Sequence, residues 1–373
     1  MKVLGRVELE DYIEGANILG CGGGGSPESG RALVEEAFEK GYRFVLEDPA
    51  ELPQEGLLCI VGGVGGGVPR ELMERVQPYL GRLRGTREER FNRMRRAVET
   101  LSDQVGEGFC SYIASETGPG NGVIPLYLAA SEGKPCIDGD CCGRAKPEIA
   151  LSLTHVAGIP ITPLAMVTPF GETLILKNAV DDYRAEDLCR YIAVASGGGI
   201  TVARCPAKVK EYRRGMVPNQ VSRCIAIGQA VRTARERGED PIEAFIKAAG
   251  AKKLFEGVVL EHSVEKKEGF NWGNWKIRGS EGYEGHSLKV WFKNEHLISW
   301  LDEEPYVVCP DLICIVESET CYGLSNFVES GENKGKKVTV LGIKAYEGWR
   351  TKRGIEMFSP KHFGYNIEYI ESW

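Results

Sequence analysis

The sequence predicts an α/β protein: a mainly parallel sheet in the first half, then a β-rich second half with some helices. Three observations carry this. Apolar strand-like runs alternate with helical-period segments up to about residue 168. Each of those runs ends in glycines or carboxylates. Beyond Thr168, β-type runs separated by glycine-rich turns take over. A length of 373 residues exceeds one ordinary compact domain, so the division falls at 1–168 and 169–373.

The elements follow in order. Leu9, Ile13, Ala16 and Leu19 recur at helical spacing, which predicts a helix over Glu8 to Leu19. Gly22 to Gly25 break it before a second helix from about Glu28 to Lys40. Leu57 to Val61 is continuously apolar, as a buried strand requires. It runs into Gly62 to Gly67, and Pro69 then opens a helix where proline is tolerated. Phe109 to Ala114 leads to Gly118-Pro119-Gly120-Asn121 and an apolar helix through Ala130. Pro135 to Ile137 leads to Asp138-Gly139-Asp140 and a helix from about Arg144 to His155. Such alternation favours parallel strands whose carboxyl ends share one crevice.

A hairpin is expected near Pro169-Phe170-Gly171, then helices over Ala185 to Ser196 and Asn219 to Arg237. Strand signals follow at Leu254 to His262, Trp275 to Arg278, Leu288 to Phe292, Leu312 to Val316 and Lys337 to Gly342.

Composition narrows the function. A hydrophobic share of 42% supports a full core, and a net charge of -7 argues against nucleic-acid partners. The basic cluster from Arg82 to Arg96 is interleaved with Glu88 and Glu89, the pattern of a solvated helix face. No apolar run approaches the roughly 20 residues of a membrane span, and the N-terminus lacks a signal-peptide layout. The 12 cysteines form no Cys-x-x-Cys pair, and several sit in apolar runs as small hydrophobes. A reducing cytoplasm is therefore expected.

Chemistry concentrates at strand ends. Asp138, Asp140, Arg144 and Glu148 lie where a strand gives way to a helix. The aspartates can act as general base or hold a metal, and Arg144 can clamp a carboxylate. The same residues can equally cap a helix and pair Arg144 with Glu148. Glu116 and Asn121 sit at the previous strand end, where Asn121 can read a ring amide with donor and acceptor. Gly22, Gly23, Gly24 and Gly63 allow close backbone approach to a ligand. No Gly-Lys-Ser/Thr follows either glycine run, and no acidic ribose partner follows, so phosphate-loop and nicotinamide sites are not expected. Cys141 and Cys142 read as buried, inert thiols. The five histidines, His155, His262, His286, His296 and His362, show no metal-binding spacing. His286, at a strand start, is the one kept as a site candidate.

Taken in order, the motifs resemble the family named for S-methyl-thiohydantoin desulfurase. The matching stretches are Leu19 to Gly25, Gly62 to Gly65, Glu116 to Asn121 and Asp138 to Glu148. Ser222-Arg223, Leu254 to Gly257, Asn294-Glu295, Pro310 to Ile313 and Phe363 to Tyr365 continue the match to the end. Cys21 stands where a threonine is expected, and Cys141-Cys142 where a Gly-Met-like pair is expected. The resemblance implies a Rossmann-like N-terminal domain, a β-rich C-terminal domain and hydrolysis of a hydantoin-like ring, with water replacing methanethiol. On this reading Asp138 or Asp140 activates water, and Glu116 or Arg144 stabilises developing charge. Asn121, Glu148, His286, Asn294 and the glycines orient the ring. A divalent metal and a homo-oligomer remain open. The alternatives are a ring-opening hydantoinase or oxoprolinase-type amidohydrolase, and a non-catalytic metabolite-binding subunit.

Overall fold

A computed structural model describes residues 1–80, 87–371 and 373 of the chain. It is a mixed α/β protein. The helix Arg6–Leu19 buries Leu9, Ile13 and Ala16, as its periodicity predicts. It packs against the helix Gln220–Arg237 through two glycines. A Cβ at Gly15 would meet the Cys224 carbonyl oxygen at 2.1 Å, and one at Gly228 would meet that of Asp11 at 1.9 Å. Any larger residue at either position would force these helices apart. Ser26 caps the second helix, Pro27–Glu39, by accepting from the Ser29 amide at 3.1 Å.

The expected parallel sheet is corrected. The main N-terminal sheet has five strands in the order Phe109–Ile113, Leu57–Gly65, Gly199–Lys208, Leu164–Val167, Thr173–Leu176. Only its first pair is parallel; the other three are antiparallel. The parallel order on which the Rossmann-like reading rested is therefore absent from this sheet. The strand Gly199–Lys208, drawn from beyond residue 168, causes this by inserting next to Leu57–Gly65. Residues 62 to 65, Gly-Gly-Val-Gly, do not turn the chain as expected. They continue the strand, pairing with residues 199 to 202. Cys136–Ile137 joins a separate small sheet with Lys2–Leu4 and Phe44–Glu47. A parallel bridge from Ala114 to Asp140 brings its end beside that of Phe109–Ile113.

A helix over Arg144 to His155 is not formed either. Only Leu153–Ala157 is helical. Gly143 has φ 81°, a left-handed conformation that ends any regular path, and Pro147 lacks a donor. Residues 141 to 152 instead make an irregular, fully buried segment.

The hairpin around Pro169 pairs Leu164–Val167 with Thr173–Leu176. The β-rich region is one seven-stranded antiparallel sheet. Its order is Glu304–Val308, Glu295–Leu301, Ser287–Lys293, Phe270–Gly279, Lys252–Lys267, Lys337–Ile343, Leu312–Glu317. Its inner face buries Phe255, Trp275, Phe292 and Val340. Part of the basic cluster, including Arg82, lies outside the described residues; the rest belongs to the helix Arg87–Val105. Among the described residues no helix is long and apolar enough to cross a membrane.

Candidate active site

A cleft of about 1290 Å³ opens at the end of the strands Leu57–Gly65 and Phe109–Ile113. Gly24, Gly63, Ser115, Glu116, Asn121, Lys146 and Glu148 line it from the N-terminal side. Asn271, Asn294 and Glu295 line it from the antiparallel sheet. The first glycine loop is held against the turn 118–121: the Gly24 carbonyl accepts from the amides of Gly120 at 3.2 Å and Asn121 at 2.9 Å. A Cβ at Gly24, where φ is 80°, would meet the Gly118 Cα at 2.6 Å. Only glycine fits this contact.

Glu116 lies three residues past the end of the strand Phe109–Ile113 and is buried. Its Oε1 accepts from Asn121 Nδ2 at 2.7 Å, and its Oε2 from the Lys146 amide at 3.0 Å. Burial pushes its carboxyl above the usual range, against the opposing pull of Lys146 and Asn121. The Lys146 side chain is also buried, and its Nζ has no hydrogen-bond partner among the described residues. Burial lowers its pKa.

Glu295 was not singled out for chemistry in the sequence. It follows Asn294, whose φ of 59° turns Ser287–Lys293 directly into Glu295–Leu301. Lys293 and Glu295 pair across this tight turn. Asn294 Oδ1 accepts from the Asn271 amide at 2.8 Å, fixing the tip over the cleft. Glu295 is 2% exposed, and its Oε2 lacks a partner among the described residues. Burial, and next the nearby Glu116, raise its pKa well above the carboxylate range. Asn271 Oδ1 is likewise unpartnered and on the cleft. Buried polar groups without partners are costly, so a cleft lined by them is suited to a polar ligand.

Other sequence candidates lie off the cleft. Asp138 accepts from the Ser222 amide at 2.9 Å and the Ser222 hydroxyl at 2.5 Å, at the start of the helix Gln220–Arg237. Asp140 accepts from the amides of Cys142 at 2.9 Å and Gly143 at 2.7 Å, and from the Thr117 hydroxyl. Its pKa rises through burial, opposed by those same donors. Each carboxylate thus holds its own turn, and the two are not brought to the cleft wall with Glu116 and Asn121 as the shared strand edge predicted. Arg144 is fully buried and donates to the carbonyls of Ala145, Pro310, Asp311 and His296 at 2.6–3.3 Å. It ties the buried segment to the antiparallel sheet, and the structure does not place this expected substrate clamp among the residues that line the cleft. Gly22 packs against Asn326 and His296, and Gly23 against Glu295, so both support the site from behind. His286 sits on an exposed turn with Asp302 at 2.5 Å. His286 is not among the residues that line the cleft, because its strand start lies at the opposite end from the Asn294 turn.

Glu148 reaches the cleft but is held by Lys293 at 2.5 Å and His362 at 2.8 Å. Burial alone would raise its carboxyl, yet these partners bring it down to about 2. Cys141 and Cys142 are buried, and burial pushes the Cys142 thiol up to about 12 and Cys141 well above its ordinary value. Cys21 differs: burial raises its thiol, but Cys314 at 3.9 Å and Arg144 bring it to about 7. Among the described residues, no group of three or more His, Cys, Asp or Glu is placed to hold a metal ion.

Two family models together match nearly the whole chain. One, described as S-Me-THD-like, N-terminal domain, matches residues 7–178. The other, S-Me-THD-like, C-terminal domain, matches residues 180–372. Among solved structures, the chain is similar to a protein from Chromobacterium violaceum determined by X-ray crystallography. The two are 22% identical over 99% of each chain, with a TM-score of 0.76, which shows a shared fold. No curated protein matches the chain.

Proposed function

The chain belongs to the S-Me-THD-like family, and on that premise we propose that it is a hydrolase of a hydantoin-like ring, acting on an S-methyl-thiohydantoin. One observation supports this most: Glu116, Lys146 and Glu295 are three buried ionisable groups on one cleft, two of them with an unpartnered polar atom.

Glu116 is the base in this reading. Held by Asn121 and the Lys146 amide, it takes a proton from water as the oxygen bonds to the ring carbon that carries sulfur. The C=N pair moves to the ring nitrogen, which takes a proton from the neutral Glu295 carboxyl. Collapse of the tetrahedral intermediate breaks the C–S bond. The departing thiolate takes the proton held by Glu116 and leaves as methanethiol, while the hydroxyl proton passes to Glu295 as the ring carbon becomes a carbonyl, so both carboxyls return to their starting states. Water adds one oxygen and two hydrogens, divided between the thiol and the hydantoin. Lys146 Nζ is suited to stabilise the developing oxygen charge. Environments that keep one carboxyl neutral beside another that can ionise suit paired acid and base roles.

The test is turnover by the purified chain. A thiol-trapping assay with a 5-substituted S-methyl-2-thiohydantoin is expected to detect methanethiol, with the ring intact. A new carboxylate without thiol would instead assign ring opening, and binding without turnover would assign a binding subunit.

A further inference from the structure

One pair of thiols differs from the other cysteines. All 12 are free, and burial pushes thiols such as Cys59 and Cys136 well above their ordinary acidity range. Cys21 and Cys314 lie with their sulfurs 3.9 Å apart in the buried core, although 293 positions separate them in the chain. Among the described residues no other two thiols are in contact.

The two halves of the pair are held differently. Cys314 sits inside the strand Leu312–Glu317, opposite Leu341 in the seven-stranded sheet. Cys21 follows the helix Arg6–Leu19 at φ 51° and leads into the glycine run 22–25, where Gly22, Gly24 and Gly25 also have positive φ. A glycine run changes path at low steric cost, whereas a strand is held by its ladder. Their acidities divide as those of an attacking and a resolving thiol do. Burial raises Cys21, but Cys314 and then Arg144 bring it down to about 7. The contact with Cys21, and then burial, hold Cys314 well above its ordinary value.

We propose that Cys21 and Cys314 form a reversible disulfide on exposure to hydrogen peroxide, and that closing it pulls the glycine loop away from the cleft. The Cys21 thiolate attacks one peroxide oxygen and the O–O bond breaks. The leaving hydroxide takes up the proton that Cys21 gave up and departs as water. Cys314 then attacks the sulfur of the resulting sulfenic acid, whose hydroxyl leaves as a second water with the Cys314 proton. The two thiols together lose two electrons, and the peroxide accepts them.

A disulfide needs its sulfurs at about 2.05 Å, about half their present separation, and the loop is the part that yields. The Gly24 carbonyl holds the amides of Gly120 and Asn121, and the Cys21 carbonyl accepts from the His296 amide at 2.9 Å. Gly23 packs against Glu295. The pull therefore reaches both walls of the cleft.

To test this, the reduced full chain is treated with hydrogen peroxide, digested without reduction and mapped by mass spectrometry. A linked peptide joining Cys21 to Cys314, lighter by two hydrogens and split by dithiothreitol, is expected. Cys314→Ala should stop at a sulfenic acid on Cys21 that dimedone traps. Cys21→Ser should give neither product, with circular dichroism confirming the fold of both variants; the wild-type map stands without them. In the oxidised wild type, hydrogen exchange at the amides of Gly120 and Asn121 should speed up by at least about tenfold and recover on reduction. No linked peptide under conditions that oxidise the half-buried Cys110 overturns the proposal, as does a linked pair with unchanged exchange. No ring compound enters the experiment, so its failure leaves the ring-hydrolase reading untouched.

Discussion

The main-chain amide of Lys146 donates to Oε2 of Glu116 at 3.0 Å, while the buried Lys146 Nζ on the same cleft has no hydrogen-bond partner among the described residues. One residue thus holds the carboxylate with its backbone and leaves its side-chain nitrogen to a ligand. The buried segment 141–152 makes this arrangement, because Arg144 and Asp140 lock it on either side.

Glu116→Gln is expected to lower turnover by about 10² or more, the usual size of a lost general base. The melting temperature should fall modestly, since the amide oxygen accepts from one of the two donors, Asn121 and the Lys146 amide, and its NH2 faces the other. Near-wild-type turnover would remove Glu116 from the chemistry.

The pH profile reports the same group. A base works deprotonated, so a raised Glu116 pKa places the acid limb of kcat/KM above the ordinary carboxylate range. Lys146 lowers that pKa by its charge. Lys146→Met should therefore move the limb to still higher pH, as well as reduce the rate. A limb that stays in place would show that the two groups are not coupled.

Stability carries an opposite pair of signatures. Glu295 binds its proton more tightly folded than unfolded, so its contribution is present at acid pH and is lost as pH rises through its raised pKa. Glu295→Gln should melt closer to, or above, the wild type as pH increases. Glu148 is lowered to about 2, so its contribution is full above the unfolded value near 4.5 and is lost as pH falls toward 2. Glu148→Gln should cost stability at neutral pH and little in strong acid. Melting curves across pH would contradict this if both variants shifted in the same direction.

Asp138→Ala should behave as a lost helix cap, costing about 1 kcal/mol in denaturant unfolding while the folded protein keeps its turnover. Arg144→Met leaves several buried carbonyls without a donor, at roughly 1–3 kcal/mol each, and is expected to destabilise the chain severely. A stable Asp138→Ala variant that has lost its turnover would return that residue to the active site.

Much of this was legible in the sequence. The helix Arg6–Leu19, the strand Leu57–Gly65 up to Val61, and the antiparallel strands rest on local periodicity, which survives folding. Direction within the sheet does not: Gly199–Lys208 reads as a strand only once it pairs with a glycine run. Glu116 and Asn121 could be placed at a strand end from spacing alone. Asp138 and Asp140 looked identical to them, because a cap and a base use the same residue type, and only hydrogen-bond partners separate the two roles. Lys146 lay inside the acidic motif but drew no attention, since an unpartnered amine is a property of packing. Glu295 gave one usable signal, its place beside Asn294 at a turn between apolar runs.

The most direct test of the ring-hydrolase account is turnover of a 5-substituted S-methyl-2-thiohydantoin in ¹⁸O-water, followed by mass spectrometry. The account predicts one methanethiol released per hydantoin formed, with one heavy oxygen in the intact ring. A ring-opened product carrying the heavy oxygen in a new carboxylate, with sulfur retained, would contradict it.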